Sequence, residues 1–286
     1  MNTNKNKTRI AIVTGSSSGI GFETSLALAR NGFCTYATMR NLDKSKTILE
    51  LARLEELPLE VLRLNVTDDK SVKKAIEKIA NEQERIDVLV NNAGYALVGP
   101  FEELSIEEFK EQFETNVLGA IRVTQGVLPI MRNQRCGTIV NISSIAGRIG
   151  FPLTSAYVSS KFALEGLSES IAYETEQFRI KVILIEPGVI KTNFDNNLKM
   201  GKRVAATDPN SPYAEITKRR ILGFKPRFEK GSHPTEVAKA ILKAIESENS
   251  PELRHLVGND AFKLMEIRKN TSDKEFRKLV MESVLK

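Results

Sequence analysis

The stretch Arg9-Ile-Ala-Ile-Val-Thr14-Gly15-Ser-Ser-Ser-Gly19-Ile-Gly21 decides how this chain is read. Arg9 to Thr14 is an apolar, β-branched run of strand length, and a helical pattern follows it to about Arg30. Between the two, Gly15, Gly19 and Gly21 permit a tight turn and let backbone N–H groups approach an anion at the positive end of a helix. A dinucleotide pyrophosphate is the natural ligand of a strand, a glycine turn and a helix in that order. The spacing is not G-x-G-x-x-G, so the position of the glycines carries the reading more than their number.

Downstream the alternation continues. Phe33 to Met39, Leu59 to Leu64, Val88 to Val90, Thr138 to Ile142 and Ile180 to Ile185 read as strands, and Leu256-Val257 as a short closing one. Leu42 to Glu56, Asp69 to Glu84 and Ala156 to Gln177 read as helices, with Asp68 or Asp69 capping the second. In that second helix Val72, Ala75, Ile76, Ile79 and Ala80 make an amphipathic stripe. Ser105 and Glu108 form a capping-box pattern that opens a long helix toward Met131, bent or frayed by Pro129. Pro234 opens a helix with its stripe at Val237, Ala240, Ile241, Ala244 and Ile245. Strands joined by helices need crossover connections. The expected fold is therefore α/β, one doubly wound domain over residues 1–286, with a mostly parallel sheet of about seven strands. Residues 190–231 read as an insertion over the ligand edge of the sheet, and 259–286 as a helical, charged tail.

Composition narrows the function. The 286 residues are 41% hydrophobic and 27% charged, as in a folded globular protein. The longest apolar runs fall far short of the about 18 residues of a membrane span, and Met1 to Thr8 is polar and basic, so a cytoplasmic location without a signal peptide is expected. Two cysteines, Cys34 and Cys136, and two histidines, His233 and His255, give no spacing for a zinc site, a disulfide framework or a Ser-His-Asp hydrolase. Acid–base chemistry then falls to Tyr, Lys and carboxylates. The net charge of +6 is matched by Lys199 to Lys230 alone, where nine Lys/Arg face three acids. That segment is either a solvated basic surface or the path of an anionic ligand, and no motif accompanies it that would indicate nucleic acid.

At the end of the second strand, where an acid would hold the ribose 2′-hydroxyl of NAD, Thr38-Met39-Arg40 offers a cation. A 2′-phosphate fits it, so NADP(H) is expected over NAD(H), with NAD(H) still possible. The alternative is that Arg40 only opens a polar loop. Tyr157 and Lys161 lie one helical turn apart, so the ammonium can favour the phenolate and draw the phenol toward a useful acid–base range. A Tyr-x-x-x-Lys pair alone is weak evidence. Ser144, thirteen residues before Tyr157, strengthens it by offering a hydroxyl to the same pocket.

Taken together, Thr14 to Gly21, Asn91-Asn-Ala-Gly94, Asn116, Ser143-Ser144, Tyr157-x-x-x-Lys161 and Pro187-Gly188 resemble the short-chain dehydrogenase/reductase family over residues 9–192, and more weakly to about 258. The resemblance implies a Rossmann fold and hydride transfer between a nicotinamide cofactor and a small carbonyl or alcohol. It implies Tyr157 as proton donor and acceptor, Ser144 as the group that polarises the carbonyl, Lys161 as the one that lowers the Tyr157 pKa and binds the nicotinamide ribose, and Asn116 as holder of a relay water. It further implies cofactor contacts from Gly15, Ser17, Ser18, Gly19, Ile20, Gly21, Asn65, Val66, Asn92, Ala93, Gly94, Pro187, Gly188, Val189 and Thr192, beside Arg40, Tyr157 and Lys161.

Two positions depart from the family's common pattern. Asn65 stands where Asp is frequent, and Ser18 where many NADP-using members have a basic residue.

The segments Ala37 to Asn41 and Ser160 to Gly166 look nearest to steroid and retinol dehydrogenases, and a lipophilic substrate is expected among Leu97, Val98, Ile149, Phe151, Phe194, Met200 and Phe224. Some of these residues can equally pack the insertion against the body. A 3-oxoacyl-CoA reductase and a noncatalytic NADP sensor are the alternatives. A homodimer or homotetramer is expected through the helices carrying Asn116 and Tyr157.

Overall fold

A computed structural model describes residues 8–192, 198–205, 210–247 and 252–285, with backbone alone for 205, 224, 225 and 283–285. Seven strands form one parallel sheet: β1 (Ile10–Thr14), β2 (Cys34–Met39), β3 (Leu59–Arg63), β4 (Val88–Asn91), β6 (Gly137–Ile142), β7 (Ile180–Pro187) and β9 (Arg254–Val257). Their spatial order is β3-β2-β1-β4-β6-β7-β9. Chain order reverses between β1 and β4, and a crevice opens there beyond the carboxyl ends of the strands. Two further strands, β5 (Ala96–Val98) and β8 (Leu198–Met200), pair separately and in parallel.

Side-chain alternation along β1 separates two cores. Ile10 and Ile12 point to a cluster holding Val72 and Ile76 of α3 (Asp69–Gln83) and Val123 and Val127 of α5 (Gly119–Gln134). Ala11 and Val13 point to the opposite cluster, with Leu28 of α1 (Gly19–Arg30) and Val237 and Ile241 of α9 (Pro234–Glu246). Period-two strands covered by helices on both faces are what the near-continuous apolar runs required.

Several local signals have the outcome their chemistry predicts. Asp68 caps α3, accepting from the backbone N–H groups of Lys70 and Ser71. Ser105 and Glu108 complete the capping box of α4 (Ile106–Phe113). Two expectations need correction. Leu42 to Glu56 divides into a 3-10 turn, Leu42–Ser45, and α2 (Lys46–Leu54). The long helix does not fray at Pro129, since α5 runs on to Gln134, and it is not continuous: a π turn at Glu114–Leu118 interrupts it. One extra residue in that turn rotates Asn116 toward Tyr95 and away from the α-helical register.

The remaining elements close the carboxyl edge. The insertion contains β8, α7 (Lys202–Ala205) and α8 (Ala214–Glu229), and α6 (Ser155–Thr175) precedes β7. The tail folds as α10 (Asn259–Asn270) and α11 (Asp273–Leu285), and α11 packs against α8. No described helix is long and apolar enough to cross a membrane.

A buried amide chain joins the central strands to the helices. Asn91 Nδ2 donates to Thr124 Oγ1 at 2.9 Å and to Asn141 Oδ1 at 2.8 Å, and Asn141 Nδ2 donates to Ser168 Oγ at 2.8 Å. Removing one member strands its neighbours without water. Asn141→Ala is expected to cost about 2 kcal/mol of stability, read from the midpoint shift in urea denaturation; an unchanged midpoint would show that the chain of amides contributes nothing.

Candidate active site

The crevice is built from the loops after β1 and β4. Thr14 Oγ1 accepts from the backbone N–H groups of Asn92 and Ala93, both at 3.0 Å. Asn92 Nδ2 donates back to the carbonyls of Thr14 at 2.9 Å and Gly15 at 3.1 Å. Two glycines are required by this closeness. Gly15 has φ +70° and a Cβ there would sit 2.9 Å from Ala93 Cα, while a Cβ at Gly21 would meet Asn92 Nδ2 at 2.4 Å and the Gly15 carbonyl at 2.5 Å. Gly21 is therefore a packing residue under the turn.

A cavity of about 310 Å³ follows this crevice. Gly15, Ser17, Ser18, Gly19 and Ile20 line one end together with Arg40, and Asn65 and Val66 border it. Asn92, Ala93 and Gly94 form its floor, and Ser144, Tyr157, Lys161, Pro187, Gly188 and Thr192 its other end. Of the expected site residues, Gly21, Val189 and Asn116 do not line it. Thr115, which no motif singled out, also lines it, as do Tyr95 and, from the insertion, Lys199 and Phe228. The Lys199 ammonium stands 4.3 Å from the Tyr95 ring centroid, an arrangement that depends on the pairing of β5 with β8. The exposed guanidinium of Arg40 sits where β2 ends, on the same wall as the glycine turn.

Several expected groups already have protein partners. Asn65 Oδ1 accepts from the Thr67 hydroxyl at 3.1 Å. The N–H of Val189 donates to Asp260 Oδ2 at 2.7 Å, a contact across 71 residues that no sequence signal announced. Asn116 is buried, with Nδ2 donating to the Tyr95 carbonyl at 3.0 Å and to Ser160 Oγ at 3.1 Å, and Oδ1 accepting from Tyr95 N at 3.1 Å. Its amide therefore fixes the loop after β4 against α6.

At the far end, Ser144 Oγ accepts from Ala146 N at 3.1 Å and hydrogen-bonds Tyr157. Burial pushes the Tyr157 phenol up to about 12, and Ser144 opposes that rise. Lys161 Nζ lies 5.8 Å from the Tyr157 ring centroid and donates to the Ile142 carbonyl at 2.7 Å. Burial lowers Lys161 to about 8, against the attraction of Glu165 one turn along α6. Ser144 thus opposes the rise of the phenol, and Lys161 is itself held down by desolvation. A neutral phenol and a serine hydroxyl side by side can donate two hydrogen bonds to one oxygen.

Beyond this wall opens a larger cavity of about 960 Å³, and Ser144, Tyr157, Gly188 and Phe228 border both. Of the expected substrate residues, Phe151 lines it. Leu97, Val98 and Ile149 are buried and pack the body of the protein. Met200 lies in β8 and does not line the cavity, and Phe194 and the Phe224 side chain fall outside the described residues. The tail supplies much of the wall, through Lys263, Leu264 and Ile267 of α10 and Leu279 and Val280 of α11.

The family model for short chain dehydrogenase matches residues 9–203. Retinol dehydrogenase 8 of Homo sapiens is 40% identical over 251 residues, 85% of this chain and 79% of that protein. A short-chain dehydrogenase from Streptomyces avermitilis superposes with a TM-score of 0.80 at 32% identity, covering 96% of this chain and 98% of that one. An alcohol dehydrogenase from the archaeon Thermococcus sibiricus, complexed with 5-hydroxy-NADP, superposes with a TM-score of 0.71 at 26% identity, covering 88% and 96%.

The buried amine gives a test through pH. An unfolded lysine titrates near 10.5 and Lys161 in the fold at about 8, so between these values the unfolded chain holds a proton that the folded one has released. Stability then rises with pH across that window, and the burial penalty is fully present below it. The stability of the native protein relative to Lys161→Met is expected to increase from pH 8 to pH 10 in urea denaturation; a constant difference would contradict the lowered pKa.

Proposed function

The chain belongs to the short-chain dehydrogenase family and acts on CH–OH groups with a nicotinamide cofactor, and from that premise we propose that it interconverts a carbonyl and a secondary alcohol of a lipophilic substrate using NADP(H). One observation carries this reading: Ser144 and Tyr157 stand on the wall shared by the crevice of the glycine turn and the large, partly apolar cavity. A reacting carbon placed at that wall touches both compartments.

The residues of the crevice fit a dinucleotide. The space that a Cβ at Gly15 would fill is kept open, the turn leads into the N-terminus of α1, and Arg40 borders the cavity where a 2′-phosphate would be met. When bound, the cofactor supplies or accepts the hydride. In reduction, the Tyr157 phenol gives its proton to the carbonyl oxygen as that oxygen becomes an alcohol. The Ser144 hydroxyl donates a hydrogen bond to the developing charge. Lys161, anchored on the Ile142 carbonyl, holds the cationic charge beside the phenol and stabilises the phenolate that remains once the proton has gone. Asn116 acts as a positioning residue for Tyr95 and Ser160.

A lipophilic substrate is supported by Phe151, Leu264, Ile267, Leu279 and Val280 on the cavity wall, and by the likeness to retinol dehydrogenase 8. NADP over NAD is supported by Arg40 and by the NADP derivative held in the Thermococcus sibiricus structure.

Consumption of NADPH against a panel of lipophilic ketones, retinal and acetoacetyl-CoA tests the reaction. Tyr157→Phe is expected to lower kcat by about a thousandfold or more while NADPH still binds; full turnover in that variant would exclude the phenol as proton donor. NADPH binding without turnover of any substrate would favour the sensor alternative. Arg40→Asp is expected to raise the Kd for NADPH by at least about tenfold and to leave NADH little changed, measured by fluorescence titration of each; equal effects on both would remove the phosphate assignment.

A further inference from the structure

We propose that Glu165 is a positioning residue of the proton transfer: held by Arg254 at the end of β6, its carboxylate keeps the neighbouring Lys161 in the ammonium form beside Tyr157. The use made of the ammonium rests on the reductase reading above; the arrangement of Glu165 does not.

Tyr157, Lys161 and Glu165 follow one another at intervals of four residues, so they share one face of α6. From that face Lys161 Nζ reaches the Ile142 carbonyl at 2.7 Å, and Glu165 reaches the next residue along, Ser143. A Cβ on Gly147 would stand 2.7 Å from Ser143 Oγ, 2.9 Å from Glu165 Cγ and 3.2 Å from Glu165 Oε1. Glycine at 147 thus leaves the carboxylate its place. Glu165 is 5% exposed, and while its Oε2 accepts from Arg254 Nε at 2.9 Å, its Oε1 is buried without a hydrogen-bond donor.

The anchoring of Arg254 does not account for this carboxylate. Arg254 Nη2 already donates to Glu169 at 2.7 Å, and Glu169 is far better solvated than Glu165. A second carboxylate with one oxygen buried and unbonded costs desolvation, and a cation one turn away on the same face offsets that cost. The charged groups of the surrounding elements are committed elsewhere. Glu186 of β7 is bound by Arg148 at 3.0 Å and lies 3.6 Å from Arg254, and burial and then Glu165 push its carboxyl up. Glu108 of α4 accepts from the backbone N–H groups of Ser105 and Lys202, and Glu114 of the π turn pairs with Arg122 at 2.6 Å. Tyr157, with its phenol pushed up by burial, is uncharged at neutral pH. Burial lowers Lys161 to about 8, and Glu165 is the carboxylate that opposes it.

The pH dependence of kcat for NADPH-dependent reduction is measured around pH 8 in the native protein, Glu165→Gln, Glu165→Asp and Arg254→Gln. The ammonium is lost as pH rises, so activity falls along a basic limb. Glu165→Gln is expected to move that limb down by about one pH unit, and Glu165→Asp to leave it near its native position. Arg254→Gln, which leaves the Glu165 charge to Lys161 alone, is expected to move it up. A lower kcat in Glu165→Gln with the limb unmoved shows a merely structural residue and overturns the proposal. Should Glu165→Gln fail to fold, as read by lost NADPH binding, Arg254→Gln carries the test, and a limb that stays or falls there overturns it. Urea denaturation separates this from the parent reading. The stability gained by Lys161 over Lys161→Met is expected to begin rising at lower pH in the Glu165→Gln background than in the native one, whatever the substrate. That displacement with no substrate turned over leaves Glu165 its hold on Lys161 and removes the reductase; turnover without the displacement does the reverse.

Discussion

The bracing of the loops after β1 and β4 is the constraint on which the site depends. Thr14 Oγ1 accepts two backbone N–H groups from the Asn92 loop, and the Asn92 amide returns two bonds to the carbonyls of Thr14 and Gly15. Loops at the topological switch of a parallel sheet have no ladder partners there, so their backbone groups need side chains or a ligand. Here one hydroxyl and one amide satisfy four of them. The price in sequence is glycine at 15 and 21, because any Cβ would occupy the space in which these bonds form.

Charge is buried behind the crevice in a graded way. Lys161 gives up its water for the Ile142 carbonyl and the field of Glu165, which Arg254 in turn binds through Glu165 Oε2 at 2.9 Å. Glu186, also buried, meets Arg148 at 3.0 Å, and its carboxyl is pushed up by burial and by Glu165. Glu186 lies at the carboxyl end of β7, Arg254 opens β9 opposite Leu184 of β7, and Lys161 and Glu165 face them from α6. Such a network costs desolvation and holds the groups in fixed positions, and fixed position is what a proton-transferring pair needs. The low dielectric that raises Tyr157 also keeps its proton available at neutral pH.

The tail shapes the site from the other side. Asp260 lies in the first turn of α10, and its carboxylate ties that helix to Val189, two residues past the end of β7. With α10 pinned there, α11 reaches α8 and a large cavity is enclosed between insertion and tail. The loop that borders the crevice and the helices that enclose the larger cavity are thus one connected structure.

The sequence alone determined the elements and the crevice. Periodicity specifies strands and helices because it is a local property of a few residues, and the glycine turn, Asn91 to Gly94, Ser144 and Tyr157 with Lys161 were legible as motifs whose spacing follows the strand and helix ends. Arg40 was legible because its place at the end of β2 fixes what it faces. Only the tertiary structure decided the rest: the three-residue pairing of β5 with β8, the partners of Asn116, the contact of Asp260 with Val189, and the face of α8 that turns Arg220 and Arg227 inward. These depend on which distant segments meet, and three residues of strand or a single carboxylate leave no period in a sequence. The protonation of Tyr157 and Lys161 was beyond it for the same reason, since desolvation is set by every neighbour that excludes water, not by the residue four positions along the helix.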